Sequence, residues 1–367
     1  MNFVLNRNDI LKPLQSMLAI ANSKSTMPLL SCILFDIKKN NLKITASDLD
    51  TEISCDITVN CNSDIKLALN ADKINSIVKN LNENAIIKFS IDGNKVNISS
   101  NNSTFNLISL NSDNFPLIDS NISDQSSFDI SQQKFHHIIS KVDFSMANDD
   151  TRYFLNGMLW EIDSNLLRAI STDGHRMSIT ESIIDSKALD SVNQAIIPRK
   201  AIMELKKIVD KTEELISIGI GSNYLKAKFN EFTFISKLID GRYPDYQKVI
   251  PKNNSKLLAV DKQVLKNSLN RTAILTNDKY KGVRLNISQG QMLLSASNPE
   301  NEKAEDKVEV QYNDEDMELC FNYRYILDII NVISENTMTI YLDNPNMSAL
   351  IKDEKDNSLF IIMPMKI

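Results

Sequence analysis

A carboxylate, an imidazole and a guanidinium stand together in the segment Thr172-Asp173-Gly174-His175-Arg176. An imidazole beside an aspartate can move a proton near neutral pH, and an arginine can hold the resulting anion. Hydrolase or transferase chemistry using Asp173 and His175 is therefore the first reading to weigh. Two related segments, Ser47-Asp48 and Ser297-Asn298, carry no histidine, and no nucleophile elbow or metal cluster accompanies the motif. No Walker A sequence is present either, so the chain is not expected to bind ATP itself. Cys32, Cys55, Cys61 and Cys320 have neither CxxC spacing nor an accompanying histidine pattern. Neither zinc nor a disulfide framework is suggested, a reducing compartment is the default, and no cofactor is expected.

The elements that position this segment recur. Ile33-Leu34-Phe35-Asp36-Ile37 runs on to Ala46-Ser47-Asp48, Met158-Leu159-Trp160-Glu161-Ile162 to Ser171-Thr172-Asp173, and Val283-Arg284-Leu285-Asn286-Ile287 to Ala296-Ser297-Asn298. The copies are spaced by 125 residues without a gap, with apolar positions in register. A unit of that length can bury its own core, unlike the short repeats of solenoids. Three domains are expected, at 1–125, 126–252 and 253–367.

Each third opens with a short strand and an amphipathic helix. The first helix spans about Asn8 to Ala21 with Ile10, Leu11, Leu14 and Leu18 inward, and Pro13 kinks it unless it falls in the first turn. The second follows Ser131 as N-cap, with Phe135, Ile138, Ile139 and Val142 on one face; the third follows Asp261, with Leu265, Leu269 and Thr272. A further helix recurs midway: Asn70 caps residues 71–81, Pro198 starts one reaching Val209, and Asn322 caps one with Tyr325, Ile326, Ile329, Ile330 and Ile333. Runs rich in Ile, Val, Phe and Thr between turn signals read as antiparallel strands, among them closing strands at Phe105–Ser109, Phe232–Ser236 and Phe360–Pro364. The fold class is α+β, two helices against antiparallel sheet, three times over.

Composition is that of a soluble globular chain, 42% hydrophobic and 24% charged; no apolar run approaches a bilayer span, and Met1 to Asp9 has no signal-peptide pattern. The net charge of -6 is unevenly placed: the six predicted helices carry +8 and everything else -14. Lysine and arginine are ordinary on solvated helix faces, but helices that share one basic surface also suit a polyanion, with acidic sheet surfaces turned away from it. Lys24, Lys73, Lys79, Lys134, Lys141, Arg199, Lys200, Lys206, Lys207, Lys262, Lys266 and Arg271 are the candidates for such a surface.

Five fragments stand in an order and spacing that carry a resemblance: Asp143-Phe144-Ser145-Met146-Ala147, Arg152-Tyr153-Phe154-Leu155-Asn156-Gly157, Thr172-Asp173-Gly174-His175-Arg176, Asp240-Gly241-Arg242-Tyr243-Pro244-Asp245-Tyr246 and Met363-Pro364-Met365. Over its whole length the chain resembles the bacterial sliding clamps, the β subunits of DNA polymerase III. The resemblance implies the DNA clamp fold, with chains dimerising head-to-tail into a closed ring around duplex DNA. It implies a processivity factor, not an enzyme, in the cytoplasm at the nucleoid, with no membrane partner. Its partners would be the DNA polymerase III alpha subunit, a clamp loader, and other DNA polymerases, ligase and mismatch-repair proteins, docking through short Gln- and Leu/Phe-containing peptides.

Carried onto this sequence, the peptide pocket is Leu155, Thr172, Gly174, His175, Arg176, Met177, Pro244, Val249, Ile361 and Met363, at the junction of the second and third domains, with Arg152, Phe154, Asn322, Tyr325 and Met365 at its rim. Met177 replaces the usual Leu and Lys248 a common Arg, changes expected to alter peptide preference mildly. DNA contacts fall on Lys24, Lys73, Arg152, Tyr153, Arg199 and Lys200, while Asp149 departs from a neutral polar position. The dimer interface falls on Phe105 and Leu107 of one chain and Ile274 and Leu275 of the next.

Overall fold

The computed structural model describes residues 1–21, 26–61, 63–118, 126–186, 193–277 and 280–366. The repeat holds to the residue where its sequence signature is strongest. Cys32–Lys38 with Asn41–Ser47, Gly157–Asp163 with Leu166–Thr172, and Gly282–Ser288 with Gln291–Ser297 are strand pairs displaced by steps of 125. Register moves by the same step, with Leu34 opposite Thr45, Leu159 opposite Ile170 and Arg284 opposite Ser295. Each pair turns on two residues, and φ is positive at Lys39, Asn40, Ser164 and Gly290 within those turns. Turns of that hand match the twist of the strands they join.

Among the described residues six α-helices form: α1 (Arg7–Leu18), α2 (Ala71–Lys79), α3 (Gln132–Val142), α4 (Arg199–Ile208), α5 (Lys262–Thr272) and α6 (Tyr323–Val332). Their starts are fixed as the sequence requires: Asn70 accepts from the Lys73 N–H, Asp261 from Gln263 and Val264, and Asn322 from Arg324. The inward stripe of α1 differs from expectation. Ile10, Pro13, Leu14 and Met17 are buried, whereas Leu11 and Leu18 are half-buried, because the helix ends at Leu18 and its core-facing row is the 10–14–17 row. Pro13 falls beyond the first turn, so α1 forgoes the hydrogen bond that an N–H there would make. Over the observed bounds the six helices carry +1, +1, +2, +3, +3 and 0, against -6 for the chain.

Each third builds two four-stranded antiparallel sheets. In the first third, one runs in the order Asn2–Asn6, Ile86–Asp92, Lys95–Ser100, Ser103–Ile108, and the other Ile65–Asn70, Cys32–Lys38, Asn41–Ser47, Thr51–Thr58. The same two orders recur in the later thirds. At two places a sheet of one third continues into the next. Thr51–Thr58 pairs with the closing strand Phe232–Lys237, Ile53 opposite Phe234; Arg176–Ile183 pairs with the closing strand Ser358–Ile362, Met177 opposite Ile361. A nine-stranded sheet results, which also includes the short Asp185–Ser186, and an eight-stranded one.

Two compact units follow the fused sheets. One comprises Met1–Phe135, Asp185–Lys187 and Met203–Leu238; the other comprises His136–Ile184, Ala188–Ile202 and Ile239–Ile367. The first unit packs Phe3 flat on Phe89 at 4.5 Å between ring centres, with Phe35 beside them. The second holds two buried apolar clusters, one around Leu285, Leu294, Phe321 and Phe360, the other around Leu155, Leu159, Met177 and Ile361. Each such side chain contributes about 1.5–3 kcal/mol by leaving water.

Candidate functional site

The second of those clusters is where the expected pocket residues meet. A row of side chains crosses four strands of the eight-stranded sheet: Thr172 lies opposite Met177, Met177 opposite Ile361, and Ile361 opposite Leu350. Successive residues of a strand face opposite ways, so the next row on the same face is Ile196, Leu159, Ile170, Ile179 and Leu359. Leu155 is buried against this surface, and Phe154 and Val249 are packed on it half-buried. His175, Pro244 and Met363 are exposed beside it. An apolar floor with a polar, partly exposed rim is the character of a groove that accepts a peptide.

The Thr172–Met177 segment is shaped by its own side chains. Thr172 Oγ1 donates to the Arg176 carbonyl at 2.6 Å and accepts from the Gly174 N–H at 3.0 Å. The Asp173 carboxylate accepts from the His175 and Arg176 N–H groups at 2.9 and 3.0 Å, and from Arg176 Nε at 3.0 Å. Gly174 has φ +86, a conformation that residues other than glycine rarely adopt, and the Arg152 guanidinium lies 2.8 Å from where a Cβ would stand. Asp173 is thus committed to its turn and to Arg176, and His175 stands exposed on that turn. The acid/base reading gains no support from this geometry.

Arg176 ties the turn to α6. Its Nη1 donates to Asp328 at 2.5 Å, its guanidinium stacks over the Tyr325 ring at 4.3 Å, and Nη2 donates to the Phe144 carbonyl. Stacking and forked donation together need a guanidinium, which lysine cannot replace. Burial is the main cause that pushes the Tyr325 phenol up, with Asp173 adding to it. Asn322 spends its side chain on capping α6. Backbone bonds hold the segment from Met363 to Met365, the Met363 N–H on the His175 carbonyl at 2.9 Å and the Met365 N–H on the Cys320 carbonyl at 2.7 Å. At the rim, Arg152 grips Asp150 through Nε and Nη2 at 3.0 and 2.9 Å, and this holds the Asp150 carboxyl at about 2.

Sequence reasoning passed over Asp328, Tyr246, Glu161 and Arg168, which brace this surface. One signal was available: Glu161 alternates in phase with Leu159, so a carboxylate falls on the inward face of an otherwise apolar strand.

The expected DNA contacts are divided between the two compact units. Lys73 is exposed on α2, in the first unit. Tyr153 is exposed, edge-on to Phe154 at 5.9 Å, and Lys200 is exposed on α4. Arg199 is half-buried and donates to the Met146 carbonyl at 3.0 Å and the Asp143 carbonyl at 3.4 Å. Lys24 lies outside the described residues.

Lys141 corrects its place among the DNA-facing lysines: its side chain is 3% exposed, bonded to Asp353 at 2.7 Å, Asp356 at 2.5 Å, the Val332 carbonyl and Ser334. Its position in the last turn of α3 faces the protein interior, where a lone ammonium would be untenable without those acceptors. Of the expected interface residues, Ile274 is 76% exposed, while Leu275, Phe105 and Leu107 are half-buried. No group of metal-ligating side chains occurs among the described residues, and no helix of them is long and apolar enough to cross a membrane.

Three successive stretches match the models of one family: residues 1–119 the N-terminal, 129–245 the central and 247–366 the C-terminal domain of the DNA polymerase III beta subunit. The chain belongs to that family, the bacterial sliding clamps. The beta sliding clamp of Pseudomonas putida is 36% identical, with all of both chains covered. The crystal structure of the DNA polymerase III subunit beta from Pseudomonas aeruginosa is 34% identical and superposes with a TM-score of 0.96, again over all of both chains. A sliding clamp from Bartonella birtlesii bound to griselimycin is 30% identical with a TM-score of 0.95 over the same full coverage.

Proposed function

We propose that this chain is a non-catalytic processivity factor of the cytoplasm and nucleoid, built of functional modules 1–125, 126–252 and 253–367. Two chains close head-to-tail around duplex DNA and tether the DNA polymerase III alpha subunit, other DNA polymerases, ligase and mismatch-repair proteins. A clamp loader opens the ring with ATP that this chain does not bind.

The observation that carries the reading is the repetition of one strand joint. Within the chain, Thr51–Thr58 meets the closing strand Phe232–Lys237, and Arg176–Ile183 meets the closing strand Ser358–Ile362. The equivalent strand of the last third, Lys303–Glu309, and the closing strand of the first, Ser103–Ile108, each end a sheet. They are the two halves of the same joint, left unpaired within one chain. A head-to-tail contact between them is heterologous, and it closes when the rotation per copy divides the circle. Phe105 and Leu107 lie on one half, and Ile274 and Leu275 follow α5 beside the other.

Enclosure removes the need for a base-reading motif. Phosphate attraction is independent of sequence and screened by salt, so a weakly basic surface on Lys24, Lys73, Arg152, Tyr153, Arg199 and Lys200 suffices. Peptides dock on the Leu155–Met177–Ile361 floor between Pro244, Val249 and the Met363–Met365 end. The test is retention on nicked circular DNA after loading. The protein should survive a high-salt wash and leave once the circle is cut; release by salt alone would defeat the ring.

A further inference from the structure

The loop wall of the groove has an anchor of its own. Residues 240–250 supply Pro244 and Val249, yet their only helical turn is Tyr246–Lys248, a 3-10 turn of three residues. A loop with so little backbone pairing needs side chains to fix it. Tyr243 and Tyr246, which flank Pro244, are both buried in the apolar cluster, and the Val249 N–H bonds the Tyr246 carbonyl at 3.0 Å. Tyr246 reaches past that cluster. Its hydroxyl donates to Glu161 Oε2 at 2.5 Å and accepts from Arg168 Nη1 at 3.3 Å.

Those two residues belong to a third row on the same sheet face, one step beyond the two apolar rows. Gln194 lies opposite Glu161, Glu161 opposite Arg168, and Arg168 opposite Glu181. Gln194 Nε2 donates to Glu161 Oε1 at 2.6 Å, Arg168 Nη1 to Glu161 Oε2 at 3.0 Å, and Arg168 Nε to Glu181 at 2.6 Å. Glu161 is 8% exposed, so its charge is held only by these partners. A carboxylate fixed on both oxygens is a rigid acceptor, and the phenol docked on it fixes the loop at one height above the sheet.

We propose that Tyr246 is the positioning residue of the groove, and that the Glu161–Arg168 row beneath it sets where Pro244 and Val249 stand against a bound peptide. The proposal rests on the reading of this groove as the peptide site. Preorganisation of this kind lowers the ordering cost of binding, so its loss appears as weaker affinity with little change in the peptide's own contacts.

The full-length protein is titrated with a fluorescein-labelled Gln-Leu-Ser-Leu-Phe peptide by anisotropy. Tyr246→Phe keeps the ring and removes the hydroxyl; it should weaken binding about tenfold, and raise amide exchange at residues 245–250 while strand Gly157–Asp163 stays protected. Glu161→Gln, which still offers an oxygen to the phenol, should restore most of the affinity that Glu161→Ala loses. The double variant Tyr246→Phe with Glu161→Ala should bind no worse than Glu161→Ala alone, as expected for two ends of one bond. Affinity within about twofold of the parent in Tyr246→Phe, for a contact whose loss should exceed that margin, would overturn the positioning role, provided that the exposed pocket variant Met363→Asp loses binding. Parent protein that fails to bind the peptide, or Met363→Asp that binds as well as the parent, would instead overturn the groove reading.

Discussion

Arg152 and Asp150 form an exposed ion pair on the rim, where the peptide and DNA roles expected of Arg152 overlap. The guanidinium holds the Asp150 carboxyl at about 2, below its ordinary 3.8. A carboxylate whose pKa falls on folding adds stability that is present above its unfolded value, and that stability is lost as pH falls through the folded one. The pair should therefore be intact above pH 3.8 and open as pH approaches 2. Solvent screening keeps its energy small. Arg152→Ala should raise the Asp150 midpoint from about 2 part of the way toward 3.8, since the residue 152 N–H still donates to it, read by carboxyl carbon NMR; a midpoint that stays near 2 would mean that the backbone, not the guanidinium, holds the charge. At this scale the sequence was most legible where a residue shapes its own turn. Gly174 and Asp173 follow from the turn that they make. Arg176 and Tyr325 were legible as pocket residues, but the partner Asp328 was not, because a contact across 152 residues of chain leaves no local pattern.

Among the elements, α3 is held at its last turn by Lys141. The ammonium has four acceptors, and among the described residues Asp353 Oδ1 has no hydrogen-bond partner, so Asp353 depends on this cation through its other oxygen. Lys141→Ala should cost about 3–5 kcal/mol in urea unfolding, since it strands a buried carboxylate. Lys141→Met with Asp353→Leu should recover most of that loss. A cost under about 1 kcal/mol for the single change would mean that water reaches the site and replaces the lost partner. Helix periodicity could not foretell this burial. Lys141 follows the apolar 135–138–139–142 stripe closely enough to sit at its margin, and whether a marginal lysine turns outward depends on what packs beyond the helix. Caps and hairpins are different. Asn70, Asp261 and Asn322 act on their own next turn, so three helix starts could be read directly.

At the scale of the molecule, the threefold repeat was legible and the division into compact units was not. A repeat is visible because each copy solves the same local packing problem, whereas the fusion of sheets is a pairing between copies and leaves no mark at one copy's spacing. The exposed Ile274 offers a test of assembly. Ile274→Ala with Leu275→Ala should give mostly monomer in sedimentation at low concentration, and an unchanged dimer mass would remove both residues from the interface. The repeated joint also bears on how such a chain can be divided. The central third contains both Arg176–Ile183 and Phe232–Lys237, the two complementary borders that its neighbours cover. Released by itself, it would be a monomer unit with a donor edge and an acceptor edge, able to add copies through the same joint until a ring closes. Each flanking third covers one border and offers one, so the open borders are moved to the outer thirds and not removed. Linking three units thus leaves two open borders where three separate units would have six, and the next chain covers both.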